Sequence, residues 1–312
     1  SEQNDKVQAL VADLLNHIID AYLRERPPPL PPHAPPPPHA PAEYVAELEA
    51  LRAAVVEEQA AKEAAAQRRA YSFATRLGPS GAGMGARTGV FIEGHARAGS
   101  IVALYPGVVF TPADVMRLKG GTSALAKKRH LFALYDGAIL DASPEALSQL
   151  PAAARELPLS VAHRAKHPPR GRRPNVLACP VDFSTPNGEL LLPESTARLL
   201  PCLRASLADQ KLLAPPPGSQ QPSRFDRLDD WLRSSLADIA RPQIDGVERD
   251  DGSFGALPPV RGLLLVAKDD LQDEEIFLNY RLNPAANPPD WYVPVSEEED
   301  TRRWKNSRIR AR

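Results

Sequence analysis

Residues 264–280 read Leu264-Leu265-Val266-Ala267-Lys268-Asp269-Asp270-Leu271-Gln272-Asp273-Glu274-Glu275-Ile276-Phe277-Leu278-Asn279-Tyr280. The opening apolar run predicts a strand buried on both faces, and Lys268-Asp269-Asp270 predicts a charged turn. A second short strand follows and ends in a tyrosine. Such a tyrosine is either a core aromatic with its hydroxyl satisfied or a group placed for chemistry.

Two upstream segments extend this pattern. Thr88-Gly89-Val90-Phe91-Ile92-Glu93-Gly94 continues through Ala98-Gly99-Ser100 into Ile101-Val102-Ala103-Leu104-Tyr105-Pro106-Gly107, a glycine-led strand that crosses a tight turn into a second strand. Between this and residue 264 lies Lys166-His167-Pro168-Pro169-Arg170-Gly171-Arg172-Arg173-Pro174-Asn175-Val176. Taken in order, the three segments resemble the SET domain of protein-lysine methyltransferases over residues 88 to 280. The nearest branch is that of the small SET proteins without zinc-binding flanks, the type called SET domain-containing protein nine.

The resemblance implies an α+β chain: a SET-domain β-fold with a knot-like C-terminal segment, preceded by two N-terminal helices joined by a proline-rich linker. It also implies methyl transfer from S-adenosylmethionine to a lysine, with Tyr280 at the catalytic position. Tyr105, in a Tyr-Pro-Gly turn, is a second candidate for lining the site, and a turn-forming role is its simpler reading. Cofactor contacts fall to Gly89, Val90, Phe91, Lys166, His167 and Asn175. In the family the knot dipeptide is Asn-His, and here it is Lys166-His167. The lysine brings a cation toward a ligand whose sulfonium and amino groups are both positive. At about 4 Å and an effective dielectric near 20 the repulsion is roughly 4 kcal/mol, or about three orders of magnitude in affinity. The expectation is therefore a catalytically degenerate domain that holds no cofactor and serves as a structural or scaffold subunit. The alternative is an active S-adenosylmethionine-dependent protein-lysine methyltransferase.

Other chemistries find less support. Gly78, Gly81, Gly83, Gly85 and Gly89 could suggest a nucleotide loop, but they follow a helical stretch and precede a β-branched run. A dinucleotide fingerprint needs the opposite order, strand before glycines and helix after them. The seven histidines are scattered and assemble no metal-ligand spacing, so no metal is expected. Ser80 and Ser100 adjoin glycines outside any nucleophile elbow.

Composition sets the frame. The chain has 312 residues and 34 prolines, about twice the usual share, so much of it reads as linker around one enzyme-sized domain. A net charge of −1 gives no global attraction to nucleic acid. No apolar run is long enough to span a membrane. Cys179 and Cys202 are too few for a four-ligand zinc site and suggest a reducing, intracellular setting or simple indifference to redox. The start at Ser1 suggests removal of an initiator Met or a presequence, and with a recruited enzyme fold it directs the expectation to a mitochondrial assembly.

Composition shifts divide the chain. Residues 1–26 form an amphipathic docking helix, whose Val7, Leu10, Val11, Leu14, Leu15, Ile18 and Tyr22 stripe is expected to bind another subunit. Residues 27–41 are a proline-rich linker that makes the flanking helices mechanically separate. Residues 42–84 are a helical arm, and 85–285 the SET-like domain with insertions at 111–160 and 184–259, the latter containing a helical piece from Phe225 to Ile239. Residues 286–312 are a charged tail. Within 164–173 the cations Arg164, Lys166, Arg170, Arg172 and Arg173 make an ordinary solvated loop or a contact for RNA phosphates or an acidic partner. No stacking aromatic lies near them in the sequence.

Overall fold

The computed structural model describes residues 2–30, 35–83, 88–111, 114–115, 130–134, 138–183, 190–204, 261–282 and 288–302. The fold is α+β. Helix α1 (Glu2–Glu25) owes its form to its apolar periodicity, and that stripe divides along its length. Ala12, Leu15, Ile19 and Tyr22 enter the core of the same chain, with Val11 and Ile18 packed against it. Val7, Leu10 and Leu14 stay exposed. Polar ties hold the helix in place: the Asp182 N–H donates to Gln8 Oε1 at 3.0 Å, and Thr196 Oγ1 donates to Asn16 Oδ1 at 2.5 Å. The docking stripe is thus corrected, since Leu15 and Tyr22 are committed in cis. Burial of a large apolar side chain contributes about 1.5–3 kcal/mol, and the chain's own sheets satisfy that drive.

Helix α2 (Ala42–Tyr71) buries only Ala66 and Gln67. Arg69 pairs with Glu25 at 2.6 Å, and Gln59 Nε2 donates to Pro28 O at 3.0 Å. The helices on either side of the proline tract are therefore in contact, which corrects the expected mechanical separation. The arm expected to run to residue 84 ends at Tyr71, where Ser72 takes φ 73° and its N–H bonds Arg68 O. Phe73 and Ala74 then turn into the core at the start of β1 (Phe73–Pro79).

Three small sheets form most of the rest of the described core. In the first, β2 (Thr88–Ala96) lies between β1 and β10 (Leu271–Gln272), antiparallel to both. In the second, β9 (Arg261–Ala267) is central between β3 (Ile101–Leu104) and β7 (Val176–Asp182). Leu263, Leu264 and Leu265 are fully enclosed there, as an apolar run in a central strand requires. The third sheet runs β5 (Leu131–Ala133), β6 (Ile139–Asp141), β4 (Gly107–Phe110), β8 (Cys202–Arg204), with β4 and β8 parallel.

Most of that third sheet lies within the stretches expected as insertions. Ile139, Leu140, Leu157, Leu159, Leu200 and Cys202 are buried, so these stretches belong to the core. Their strands are three residues long, too short for alternation to register in the sequence. The helical piece expected at 225–239 lies outside the described residues.

Candidate functional site

Phe277 and Leu278 pass between the two ends of the 166–176 loop. Lys166 bridges Phe277 and Val176 bridges Leu278, both in parallel sense. The Leu278 N–H donates to Lys166 O at 2.8 Å on one flank. On the other, the Asn175 and Val176 N–H groups donate to Phe277 O at 3.1 and 3.3 Å. The Asn175 amide spends both of its ends on the same segment. Nδ2 donates to Glu274 Oε2 and Glu275 O, each at 3.0 Å, and Oδ1 accepts from the Phe277 N–H at 2.7 Å. Its side chain is a clamp on residues 274–277.

The clamp sets Tyr280 at the end of the threaded segment. Its hydroxyl donates to Ala165 O at 2.8 Å, and burial pushes its pKa up to about 12. The Tyr280 N–H donates to His167 Nδ1 at 3.3 Å, while His167 Nε2 lies 2.7 Å from Val293 O. A carbonyl only accepts, so Nε2 carries the proton and the ring is the neutral tautomer. Burial lowers the His167 pKa, against the opposing influence of Val293 and Asp300. The ring packs 4.4 Å from Tyr292, whose hydroxyl accepts from the Leu282 N–H at 3.0 Å and donates to Asp300 at 3.2 Å. Residues 288–302 are thus part of the site, which corrects their assignment to a separate charged tail; Arg303 onward lies outside the described residues.

Tyr105 approaches from the other side. It is buried, with its ring 5.5 Å from Phe132 and 6.4 Å from His163, and burial followed by nearby Tyr280 and Asp141 pushes its pKa up. His163 is a site residue that sequence reasoning missed. Arg164 Nε donates to its Nε2 at 3.1 Å, so the buried Nδ1 carries the proton and has no partner. Burial first, then Arg164, His130 and Lys166, lowers its pKa to about 4.

Gly89, Val90 and Phe91 lie in the interior strand of their sheet. On one edge they pair with β1; on the other, the Ile276 N–H donates to Val90 O at 2.9 Å and Phe91 bridges Glu275. Val90 is fully buried, and the Arg76 guanidinium lies 5.0 Å over the Phe91 ring. A Cβ at residue 89 would collide with Glu275 Oε1, so the carboxylate as placed lies directly against Gly89. Glu275 is 4% exposed, and its carboxylate accepts from Ser80 Oγ at 2.5 Å and the Gly81 N–H at 2.8 Å. Lys166 stands in its field: burial and then Arg164 lower the ammonium pKa, and Glu275 acts to raise it.

The chain therefore brings Gly89, Lys166, Asn175 and Glu275 into one group and sets Tyr280, His167, Tyr105 and His163 beside it. Glu275 was also missed as a site residue. Its signal was an acid doublet directly before a buried strand, where a carboxylate needs dedicated donors. Arg170, Arg172 and Arg173 are exposed on the loop, with the Arg172 guanidinium 5.7 Å from the Phe277 ring. Among the described residues no group of acidic, histidine or cysteine side chains could hold a metal, and no helix is long and apolar enough to cross a membrane.

Comparison of the chain with protein-family models, with curated proteins and with solved structures finds no match.

Proposed function

We propose that the chain is a SET-like domain whose methyl-donor site is filled by its own side chains, and that it serves as a catalytically degenerate structural subunit of a larger assembly. The observation that carries this reading is the Glu275 carboxylate. It covers Gly89, is latched by Ser80 and Gly81, and has the Lys166 ammonium in its field. Gly89 and Lys166 are among the positions that the resemblance implies for cofactor contact, and the Glu275 carboxylate lies against the first of them. Phe277 and Leu278 bridge both ends of the 166–176 loop, so the last two segments of the resemblance meet in space. Exposed Val7, Leu10, Leu14, Tyr44, Leu51 and Val56 on the two long helices offer apolar contacts to neighbouring subunits.

The test is calorimetry of the purified chain with S-adenosylmethionine. Wild type is expected to give no binding heat at millimolar ligand, and Lys166→Asn to bring binding into the measurable range. Micromolar binding by wild type would overturn the reading. An active methyltransferase is the second reading, and the observation in its favour is Tyr280, whose buried hydroxyl bonds a backbone carbonyl within electrostatic reach of Tyr105. A methylated cellular lysine that disappears with Tyr280→Phe would establish it.

A further inference from the structure

We propose that the 164–173 loop and Trp291 together form a binding surface for single-stranded nucleic acid. The loop holds Arg164, Lys166, Arg170, Arg172 and Arg173 without an acidic residue between them. Its tip is a pre-formed turn: the Arg172 N–H donates to Pro169 O at 3.0 Å, and Gly171 at φ +85° takes the third position of a type II turn. Its two ends are fastened to Phe277 and Leu278, so little ordering entropy is lost when a ligand binds. Among the described residues, the side chains of exposed Arg170 and Arg173 have no ion pair or hydrogen bond.

The second half of the surface comes from far along the chain. Trp291 is 50% exposed and is held edge-on by Tyr280 at 6.3 Å and Tyr292 at 6.2 Å. Tyr292 in turn packs on His167. Arg170 lies three positions beyond His167, at most about 10 Å of chain. Through Tyr280, whose hydroxyl bonds Ala165 O, the aromatic group that holds Trp291 is anchored to the start of the arginine loop, although the two are remote in sequence.

Charge and shape choose the ligand. Of the acids in these segments, Glu274 is bound by Asn175 and Asp300 by Tyr292, whereas Asp290, Glu297, Glu298 and Glu299 are exposed. The exposed arginines are the groups fitted to phosphate, and the exposed face of Trp291 is left to the bases. A run of aspartate and glutamate would use the arginines and leave Trp291 bare, and a duplex keeps its bases stacked inside. Base stacking on an aromatic beside a cationic track is the usual mode for single strands. The surface is independent of whether Tyr280 is catalytic.

The experiment is fluorescence polarisation of a labelled 15-nucleotide oligouridine RNA with the full chain at 50–200 mM salt. Wild type is expected to bind at 50 mM. Arg170→Glu/Arg173→Glu, which leaves Gly171 and the Arg172–Phe277 contact intact, should weaken binding at least tenfold and flatten the log–log salt slope by about 1.4, two phosphate contacts at about 0.7 each. Trp291→Ala should weaken it about fivefold or more with the salt slope unchanged. Circular dichroism of each variant establishes that it is folded. The proposal is overturned if wild type does not bind, if either folded variant binds like wild type, or if polyglutamate or an RNA duplex competes as well as the single strand.

Discussion

Helices α1 and α2 are both long and both rich in helix formers, yet they are stabilised differently. α1 places Ala12, Leu15, Ile19 and Tyr22 in the core, whereas α2 buries only Ala66 and Gln67, both in its last two turns. The first half of α2 is carried by intrinsic propensity, with alanine, glutamate and leucine at most positions. A single stripe, which the sequence of each helix offers, becomes structural only where the sheets stand opposite it. Whether a helix is an arm or a wall depends on its neighbours.

The sharpest way to break this contrast is to remove one helix. Deleting residues 1–26 withdraws Leu15, Ile19 and Tyr22, roughly 5–9 kcal/mol of burial at about 1.5–3 kcal/mol each, which is comparable to the whole stability of a domain. The expected outcome is loss of near-ultraviolet circular dichroism in the remaining chain; a truncated protein that keeps its cooperative melt would return α1 to the role of a docking arm. Within the intact chain, Leu15→Ala is expected to cost about 2–5 kcal/mol by chemical denaturation.

Acid should act on the body that α1 covers. The His163 pKa is about 4 in the folded state and about 6.5 unfolded, so the unfolded state binds more protons between these values. Its contribution is fully present above pH 6.5 and is lost as the pH falls toward 4, by about 3 kcal/mol in all. Denaturation curves at pH 7, 5.5 and 4.5 should show this slope. His163→Gln should remove most of it and leave the part due to His167, whose pKa burial also lowers. The smallest effect belongs to the exposed helix: Leu51→Ala, at a position 62% exposed, should stay within about 0.5 kcal/mol of wild type. A cost near that of Leu15→Ala would mean that α2 is covered after all.

The helical period of Val7 to Leu23 was legible in the sequence, but not what the stripe would meet, because periodicity encodes a face and not its partner. The β9 run was legible as a strand for the same reason that it is central: Leu263 to Leu265 need apolar neighbours on both sides. The third sheet was not, since three-residue strands carry no usable period. In the site, Asn175 and Tyr280 stood out by their place in ordered segments. Glu275, His163 and Trp291 did not, because what distinguishes them is tertiary. Ser80 and Gly81 satisfy a carboxylate 194 or more residues away, and Trp291 meets Tyr280 from eleven positions further along the chain.

The passage of Phe277 and Leu278 between the ends of the 166–176 loop also has a kinetic consequence. During synthesis the loop leaves the ribosome about a hundred residues before the strand that fills it, at roughly 5–20 residues per second. For those seconds Asn175 has no Phe277 N–H to accept from, Val90 O has no Ile276, and β2 has an open edge. The loop has to remain open until the strand arrives, so the last contacts to form join its two ends. Such long-range closure is slow. Once formed, these contacts join segments about a hundred residues apart, and the two ends of the loop are held by one strand that lies between them.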